Sequence, residues 1–208
     1  MKSAFRIAAA AAFFLLAAPA FAVLAQGAKF VPFALKNVDG KDYAVTMEDG
    51  KLTLTVTEAA GAEPRVSKTH PAGVLIDFWA TWCVPCRKAM PHMQRLSATY
   101  GPADGQTSGG LRVFGIAVDD AGGKVVKPFY QKLKITYPML ADPPSGPMPE
   151  VSVRTAKDAK RAYDVYELPV VYLVDSSGTI THVHVGFKEE HIAELDKAVS
   201  ALLPGGRR

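Results

Sequence analysis

The two cysteines of the 208-residue chain, Cys83 and Cys86, lie three positions apart in the segment TWCVPCRK at residues 81–88. Residues three apart share one face of a helix, so the two sulfur atoms can approach each other within one turn. The N-terminus of a helix stabilises a thiolate, the nucleophile of thiol–disulfide exchange, and two basic residues follow Cys86. Pro85 suits this first turn because its missing N–H has no helical partner there. The spacing favours a dithiol in which Cys83 attacks a disulfide and Cys86 resolves the product.

Other roles for the cysteine pair have less support. A structural disulfide stabilises a fold more when it closes a long loop, and this one would close a ring with two intervening residues. A zinc site needs about four ligands, and no second CxxC or nearby histidine supplies them, so we predict no metal site. The alternative of a different class is a copper-binding or copper-delivery module that uses both thiols with His182 or His184. These histidines share one face of a predicted strand, where we favour solvent-facing positions in an edge hairpin.

An acid interrupts the apolar segment GVLIDFWA at residues 73–80, directly before the cysteine pair. A continuous apolar segment is typical of a strand that is buried on both faces of a sheet. Burying a charged carboxylate is costly, so the pKa of Asp77 should rise and its side chain should be protonated part of the time. The alternative is an aspartate at a strand edge that faces water.

From residue 73 onward, predicted strands and helices alternate before a hairpin and an amphipathic terminal helix. This order predicts an α/β fold with a mixed sheet. The helix that carries the cysteines should cover about 85–100 with a kink at Pro91, and the next helix should begin near Pro128. Residues 29–57 predict a small antiparallel β extension before this core, and residues 58–72 predict a linking loop.

The predicted organisation is a signal peptide or an uncleaved N-terminal anchor at 1–22, a β extension and linker at 23–72, a main domain at 73–203 and a flexible tail at 204–208. Lys2 and Arg6 precede an apolar run, and small residues before position 23 fit a peptidase site. We therefore expect export to the periplasm or another extracytoplasmic compartment. Without residues 1–22, 22 basic and 20 acidic side chains remain, which argues against a nucleic-acid partner.

The segment DFWATWCVPCRK at 77–88 resembles the thioredoxin superfamily, and YDVYELPVVYLVDSSGTI at 163–180 resembles its second conserved region. The opening FALKNVDGK at 33–41 resembles exported TlpA-like and ResA-like thiol-disulfide oxidoreductases. The likeness covers 73–203 well and 30–41 loosely. It implies a thioredoxin-like three-layer fold, in which helices flank a central mixed sheet and a small N-terminal β extension is added.

The resemblance also implies roles for individual residues. Pro169 matches the cis-proline that faces the cysteine pair, and the backbone of Leu168 would pair with an extended substrate segment. Asp77 matches the acid that accepts or relays the proton of the second cysteine. The substrate-binding residues that we predict are Trp82, Pro85, Leu168, Pro169 and Val170.

The implied activity is reduction of disulfides in protein substrates with cysteine pairs, such as apocytochrome c or copper-site proteins. No organic cofactor is expected beyond the redox-active disulfide Cys83–Cys86, and a membrane-embedded thiol donor would supply the reductant. Whether the protein works as a reductase or as an oxidase is left open. Peroxidase chemistry is disfavoured, because its reactive cysteine usually follows a threonine and a proline and does not belong to a CxxC pair.

Three features depart from the family pattern. Ala89 stands three residues after Cys86, where ResA-like proteins often carry an acid, and Val170 replaces a frequent threonine. The proline-rich segment 141–161 is longer than expected. It is a candidate for partner recognition, with a tolerated surface loop as the alternative.

Overall fold

The computed structural model describes residues 23–102 and 109–203. The predicted signal peptide or anchor at 1–22 and the predicted tail at 204–208 lie outside these residues. Over the described ranges, no helix is both long enough and apolar enough to cross a membrane.

Nine strands and four helices form within the described ranges. The strands are β1 (Phe33–Asn37), β2 (Asp42–Glu48), β3 (Lys51–Glu58), β4 (Arg65–Thr69), β5 (Gly73–Trp79), β6 (Leu111–Ala117), β7 (Met139–Asp142), β8 (Val170–Asp175) and β9 (Ile180–Val185). The helices are α1 (Val84–Tyr100), α2 (Gly123–Leu133), α3 (Ala156–Ala162) and α4 (Glu189–Leu202).

All nine strands belong to one sheet with the order β4-β3-β2-β1-β7-β6-β5-β8-β9. Strands β5, β6 and β7 are parallel to one another, and the other neighbouring pairs are antiparallel. The predicted α/β fold with a central mixed sheet and an N-terminal β extension is confirmed. The extension is continuous with the central sheet, because β1 pairs with β7.

Two hydrophobic clusters lie on the two faces of the sheet. Alternate residues of β5 divide between them, as the two-residue period of a strand requires: Ile76 and Phe78 enter one cluster, whereas Leu75 and Trp79 enter the other. Helices α1, α2 and α4 contribute to the second cluster, and α3 contributes to the first. Strand β5 is therefore buried on both faces, and every one of its residues is buried.

Part of the predicted linking loop is a strand. Residues of β4 pair with β3 from Leu54 opposite Thr69 to Glu58 opposite Arg65. This strand lies at the edge of the sheet and most of its side chains are exposed, so it lacks the apolar alternation by which a strand is recognised. A loop over the whole of 58–72 was therefore a wrong prediction.

Helix α2 begins five residues earlier than we predicted from Pro128. The backbone N–H of Gly123 donates a hydrogen bond to Oδ1 of Asp142 at 2.9 Å, which fixes the start of the helix against the end of β7. A Cβ atom on Gly123 would lie 2.3 Å from the Asp142 carboxylate, so a larger residue here would have to displace that side chain. Pro128 lies inside the helix at the cost of one backbone hydrogen bond.

The long segment after β7 is attached to the N-terminal extension. The carboxylate of Asp42 accepts hydrogen bonds from the backbone N–H groups of Ser145 and Gly146, the latter at 2.6 Å. The Thr57 hydroxyl donates to the carbonyl of Pro147 at 3.0 Å. Two strands of the extension therefore hold this segment in place before α3 begins.

Candidate active site

The cysteine pair lies at the junction between β5 and α1. Strand β5 ends at Trp79, and in the tight turn that follows, the N–H of Cys83 donates a hydrogen bond to the carbonyl of Ala80 at 3.1 Å. Asp119, which follows the neighbouring parallel strand β6, accepts bonds from the N–H and the hydroxyl of Thr81. Asp119 was missed in the sequence analysis. Its position after the carboxyl end of a strand beside β5 is the signal by which it could have been found.

Cys83 and Cys86 form a disulfide at the first turn of α1. Cys83 is the N-cap residue, and its sulfur accepts a hydrogen bond from the N–H of Cys86 at 3.2 Å. Cys83 keeps 5% exposure whereas Cys86 is fully buried. Pro85 occupies the first turn and is exposed. The sulfur of Cys83 is thus the one near the surface and at the positive end of the helix dipole.

Asp77 is fully buried, and burial raises the pKa of its carboxyl from 3.8 to about 7. Neither carboxylate oxygen has a hydrogen-bond partner among the residues that the structure describes. Because side chains alternate along β5, Asp77 points to the same face as Leu75 and Trp79, which pack in the cluster that contains Cys86. The water-facing alternative for this residue is therefore wrong, and its carboxyl lies on the side of the sheet that holds Cys86.

Pro169 precedes β8, which pairs with β5 on the side opposite β6. The Leu168–Pro169 peptide bond is cis, as the family resemblance implies. Val170 lies opposite Phe78 near the end of β5, so this segment reaches the same edge of the sheet as the cysteine pair. The carbonyl of Pro169 accepts a hydrogen bond from the N–H of Gly186 at 2.8 Å.

The predicted substrate-binding residues differ in their access to solvent. Trp82 has 68% of its surface exposed, and Leu168 is half-buried. Pro169 is buried and Val170 has no exposed surface, so the Val170 side chain cannot contact a substrate in this conformation. The prediction for Val170 is corrected accordingly: its side chain packs in the core because it points inward at the first position of a central strand.

A sequence profile of the AhpC/TSA family matches residues 26–183, which is more than half of the chain. The chain belongs to the AhpC/TSA family. It is similar to the thioredoxin-like protein YneN of Bacillus subtilis, with 32% identity over 59% of this chain and 63% of that protein. It is also similar to the thiol-disulfide oxidoreductase ResA of Geobacillus kaustophilus, with 28% identity over 63% of this chain and 64% of ResA. The chain thus spans somewhat less than two thirds of the length of these relatives.

Solved structures support the same fold for this AhpC/TSA-family chain. The thioredoxin domain of a thiol-disulfide oxidoreductase from Bacteroides vulgatus superposes with a TM-score of 0.55 at 19% identity, over 85% of this chain and 99% of that domain. StoA from Bacillus subtilis superposes with a TM-score of 0.51 at 17% identity, over 81% of this chain and 96% of StoA. The recognition of a ResA-like member of the thioredoxin superfamily is confirmed.

His184 of this AhpC/TSA-family chain is more buried than we predicted. His184 packs its ring 4.7 Å from that of His191 on α4, and its Nδ1 is buried with no hydrogen-bond partner in the described residues. Burial, followed by the neighbouring histidines, lowers the pKa of His184 to about 3. A solvent-facing position was therefore wrong for His184, because α4 covers the outer part of the edge strand β9.

Helix α1 carries two further residues that bear on the site. Ala89 is buried at 3% exposure, and together with His92 and His184 it lines one small gap. Nδ1 of His92 accepts a hydrogen bond from Arg95 at 2.6 Å, and its Nε2 lies 3.7 Å from Asp196. In the described parts of the chain, no three His, Cys, Asp or Glu side chains are grouped as a metal ion would require.

Proposed function

We propose that the protein is an extracytoplasmic thiol-disulfide oxidoreductase that reduces disulfides in protein substrates. The observation that carries this proposal is the Cys83–Cys86 disulfide at the N-terminus of α1, with the first sulfur capping the helix and the second fully buried. The names of the ResA relatives support the same activity.

The geometry supports a two-step exchange. The Cys83 thiolate attacks one sulfur of a substrate disulfide, and the second substrate sulfur leaves as a thiolate that takes a proton from water. The Cys86 thiol then gives its proton to the Asp77 carboxylate, and the resulting thiolate attacks the Cys83 sulfur of the mixed disulfide. Two electrons pass to the substrate, its remaining thiol is released, and the Cys83–Cys86 disulfide forms. A donor dithiol must reduce this disulfide before the next cycle.

Exposed groups around the disulfide suit an extended polypeptide substrate. Trp82 offers a large apolar surface beside Cys83, and Pro85 is exposed one turn away. Leu168 is half-buried at the adjacent edge. An extended segment lying against Trp82 and the Leu168 backbone would bring its disulfide to the Cys83 sulfur.

The proposal also covers the substrates and the electron donor. Reduction of the haem-site cysteines of apocytochrome c, or of a copper-site protein, fits an enzyme that is kept reduced outside the cytosol. The reductant would come from a membrane-embedded thiol donor, because extracytoplasmic compartments lack the cytosolic reducing systems. No cofactor besides the disulfide is needed for the exchange.

The test combines an activity with a trapped intermediate. The reduced protein should reduce insulin disulfides with dithiothreitol as donor, and the Cys83–Cys86 pair should be reduced in cells. A Cys86→Ala variant should accumulate mixed disulfides with its substrates, whereas the matched Cys83→Ala variant should accumulate none. Absence of any mixed disulfide with Cys86→Ala would contradict the exchange mechanism, and a pair that is fully oxidised in cells would reverse its direction.

The copper-binding alternative has its own test. The alternative predicts that one Cu(I) ion per chain stays bound during dialysis. This ion should be lost when either cysteine, His182 or His184 is replaced. Nε2 of His182 and Nδ1 of His184 have no hydrogen-bond partner in the described residues, but neither histidine is grouped there with the two cysteines as a metal ion would require. Copper that is retained in a His182→Ala, His184→Ala double variant would reject this form of the alternative.

A further inference from the structure

Asp119 connects the end of β6 to the turn that carries the disulfide. Its neighbour Val118 extends the pairing of β5 with β6, because the Val118 N–H donates a hydrogen bond to the carbonyl of Trp79 at 2.9 Å. The Asp119 carbonyl in turn accepts a hydrogen bond from the N–H of Gly122 at 3.0 Å, directly before α2 begins. The backbone of Asp119 is therefore fixed on both sides, by the sheet and by the start of a helix.

The carboxylate of Asp119 accepts hydrogen bonds from both donor groups of Thr81. The backbone N–H of Thr81 donates to it at 3.0 Å, and the Thr81 hydroxyl donates at 2.5 Å. Asp119 has 9% exposure, so water competes little for these bonds. Hydrogen bonds to a charged acceptor are stronger than those between neutral groups. Thr81 is therefore held against β6 just before the chain reaches Trp82 and Cys83.

The negative charge of Asp119 lies close to Cys83. Thr81 stands two residues before Cys83, and two residues of chain span at most about 7 Å, so the carboxylate lies within on the order of 10 Å of this cysteine. Lys157 and Lys160 line the same cavity as Asp119, which has a volume of about 350 Å³. Neither lysine makes an ion pair with Asp119 in the described residues. No ion pair there neutralises the charge beside Cys83.

This fixed negative charge opposes the other groups that act on the Cys83 sulfur. The positive end of α1 and the N–H of Cys86 stabilise a thiolate on Cys83. Arg87 and Lys88 add positive charge, but both are exposed and screened by solvent. The buried carboxylate of Asp119 repels the same thiolate. A dithiol whose thiolate is less stable is a stronger reductant, because forming the disulfide removes that thiolate.

We propose that Asp119 is a positioning residue that favours the disulfide form of the Cys83–Cys86 pair and so makes the dithiol a stronger reductant. Its hydrogen bonds hold Thr81, and with it the turn through Trp82, in place for the attack on a substrate disulfide. Its charge raises the energy of the Cys83 thiolate by electrostatic repulsion. This inference rests on the proposed function, because it concerns the same exchange reaction.

Equilibration with glutathione tests the effect of the charge without a protein substrate. The dithiol gives two electrons and two protons to oxidised glutathione, which yields the protein disulfide and two molecules of reduced glutathione. Asp119→Asn keeps a carbonyl acceptor for Thr81 and removes the charge, so its equilibrium constant for disulfide formation at pH 8 should be about 3–10-fold smaller. Asp120→Asn, at the exposed acid next in the chain, is the matched control and should change this constant less than about twofold. Alkylation of free thiols followed by mass spectrometry would measure the two forms.

Two further variants separate the hydrogen bonds of Asp119 from its charge. Thr81→Val removes the hydroxyl and leaves the charge, so the KM for insulin should rise about fivefold while the glutathione equilibrium constant stays within about twofold. Asp119→Ala removes the hydrogen bonds and the charge, so it should show both effects. If Asp119→Ala does not fold, Asp119→Asn and Thr81→Val still measure each effect separately.

The outcomes distinguish this inference from the proposed function. A glutathione equilibrium constant that is equal in Asp119→Asn and in the unmodified protein, or that changes as much in Asp120→Asn, would overturn the role of Asp119. A constant that falls in Asp119→Asn, in a protein that reduces no insulin disulfide, would support the effect of Asp119 on the cysteine pair and reject the proposed function.

Discussion

The backbone N–H of Cys86 donates a hydrogen bond to the sulfur of Cys83 at 3.2 Å, so the first cysteine caps α1 with its own side chain. An N-cap side chain satisfies an N–H group that the helix leaves free. A thiolate on Cys83 would strengthen this bond, because a charged acceptor bonds more strongly than a neutral one. The second cysteine supplies the donor and is itself fully buried. The two sulfurs are therefore unequal before any substrate arrives.

We predict that the reduced protein is alkylated at Cys83 before Cys86. Cys83 retains 5% exposure and lies at the positive end of α1, whereas Cys86 has none. With iodoacetamide at pH 7, peptide mass spectrometry should find Cys83 modified at least 10-fold faster. Cys83→Ser should leave Cys86 nearly unreactive, and Cys86→Ser should retain the fast reaction. Equal rates at the two positions would contradict the unequal roles.

The contribution of Asp77 to the stability of the oxidised protein should fall as the pH rises from about 4 to 7. The folded state raises the pKa of Asp77 from 3.8 to about 7, so over this interval the unfolded chain ionises while the folded chain keeps its proton. The Asp77 contribution to the free energy of unfolding then decreases by on the order of 4 kcal/mol, at 1.36 kcal/mol per pKa unit, and is isolated by the difference from Asp77→Asn. Asp77→Asn should lack this decrease in urea unfolding curves. Asp49→Asn, at an exposed turn, should follow the unmodified protein.

The same carboxyl should control the resolving step. If Asp77 accepts the proton of Cys86, release of substrate from the mixed disulfide should accelerate as the pH rises through about 7, where the carboxylate forms. Asp77→Asn should slow this step by roughly 10²–10⁴-fold, the usual size of general-base catalysis. Stopped-flow kinetics with a fluorescent mixed disulfide would measure it. A pH profile that is identical in Asp77→Asn would exclude the proton transfer to this residue.

Removing the exposed indole should affect substrate binding and not stability. Trp82→Ala should raise the KM for a protein disulfide about 10-fold, because Trp82 exposes 68% of its surface beside the disulfide. Its Tm should change little, since the side chain buries little apolar area. Val66→Ala, at an exposed apolar position on the edge strand β4, is the control and should leave KM unchanged. A large fall in the Tm of Trp82→Ala would instead indicate a structural role.

The histidine contacts between β9 and α4 predict a second, opposite pH effect. Burial, then the neighbouring His191, His182 and His92, lowers the pKa of His184 to about 3, so below pH 6.5 the unfolded chain binds a proton that the folded chain does not. The His184 contribution to the free energy of unfolding should therefore fall by on the order of 3 kcal/mol between pH 6.5 and pH 4, which opposes the Asp77 contribution over the same interval. His184→Phe keeps a ring and should remove most of this pH dependence of the free energy of unfolding. His70→Phe, at an exposed position, should not change it. Acid unfolding curves of unchanged slope in His184→Phe would refute the effect.

Much of the fold could be predicted because its central strands are continuous apolar segments bounded by turn residues. Strand β5 and helix α1 follow from GVLIDFWA and from the residues after Cys83. Strand β4 could not be predicted, because an edge strand with polar, exposed side chains carries no periodic apolar signal. The start of α2 was also beyond sequence reasoning, since the Asp142 side chain that fixes it lies 19 residues away.

At the candidate site, residue type and spacing predicted the chemistry that we propose. Cys83 and Cys86 three apart, an acid within an apolar strand and a proline before a late strand are local patterns with direct physical meaning. The roles of Val170 and His184 were misjudged, because burial depends on which neighbouring element covers a side chain. Asp119 lies 38 positions after Thr81 and follows β6, so its bond to the Thr81 turn depends on the pairing of β5 with β6.

The sequence by itself determined that two cysteines lie one turn apart at the start of a helix, because helical periodicity and the capping position are local properties of the chain. Only the tertiary structure decided which sulfur is accessible and that Asp77 loses all contact with water. Exposure, pKa and cavity shape arise from elements that are distant in sequence and packed together, so no local pattern encodes them.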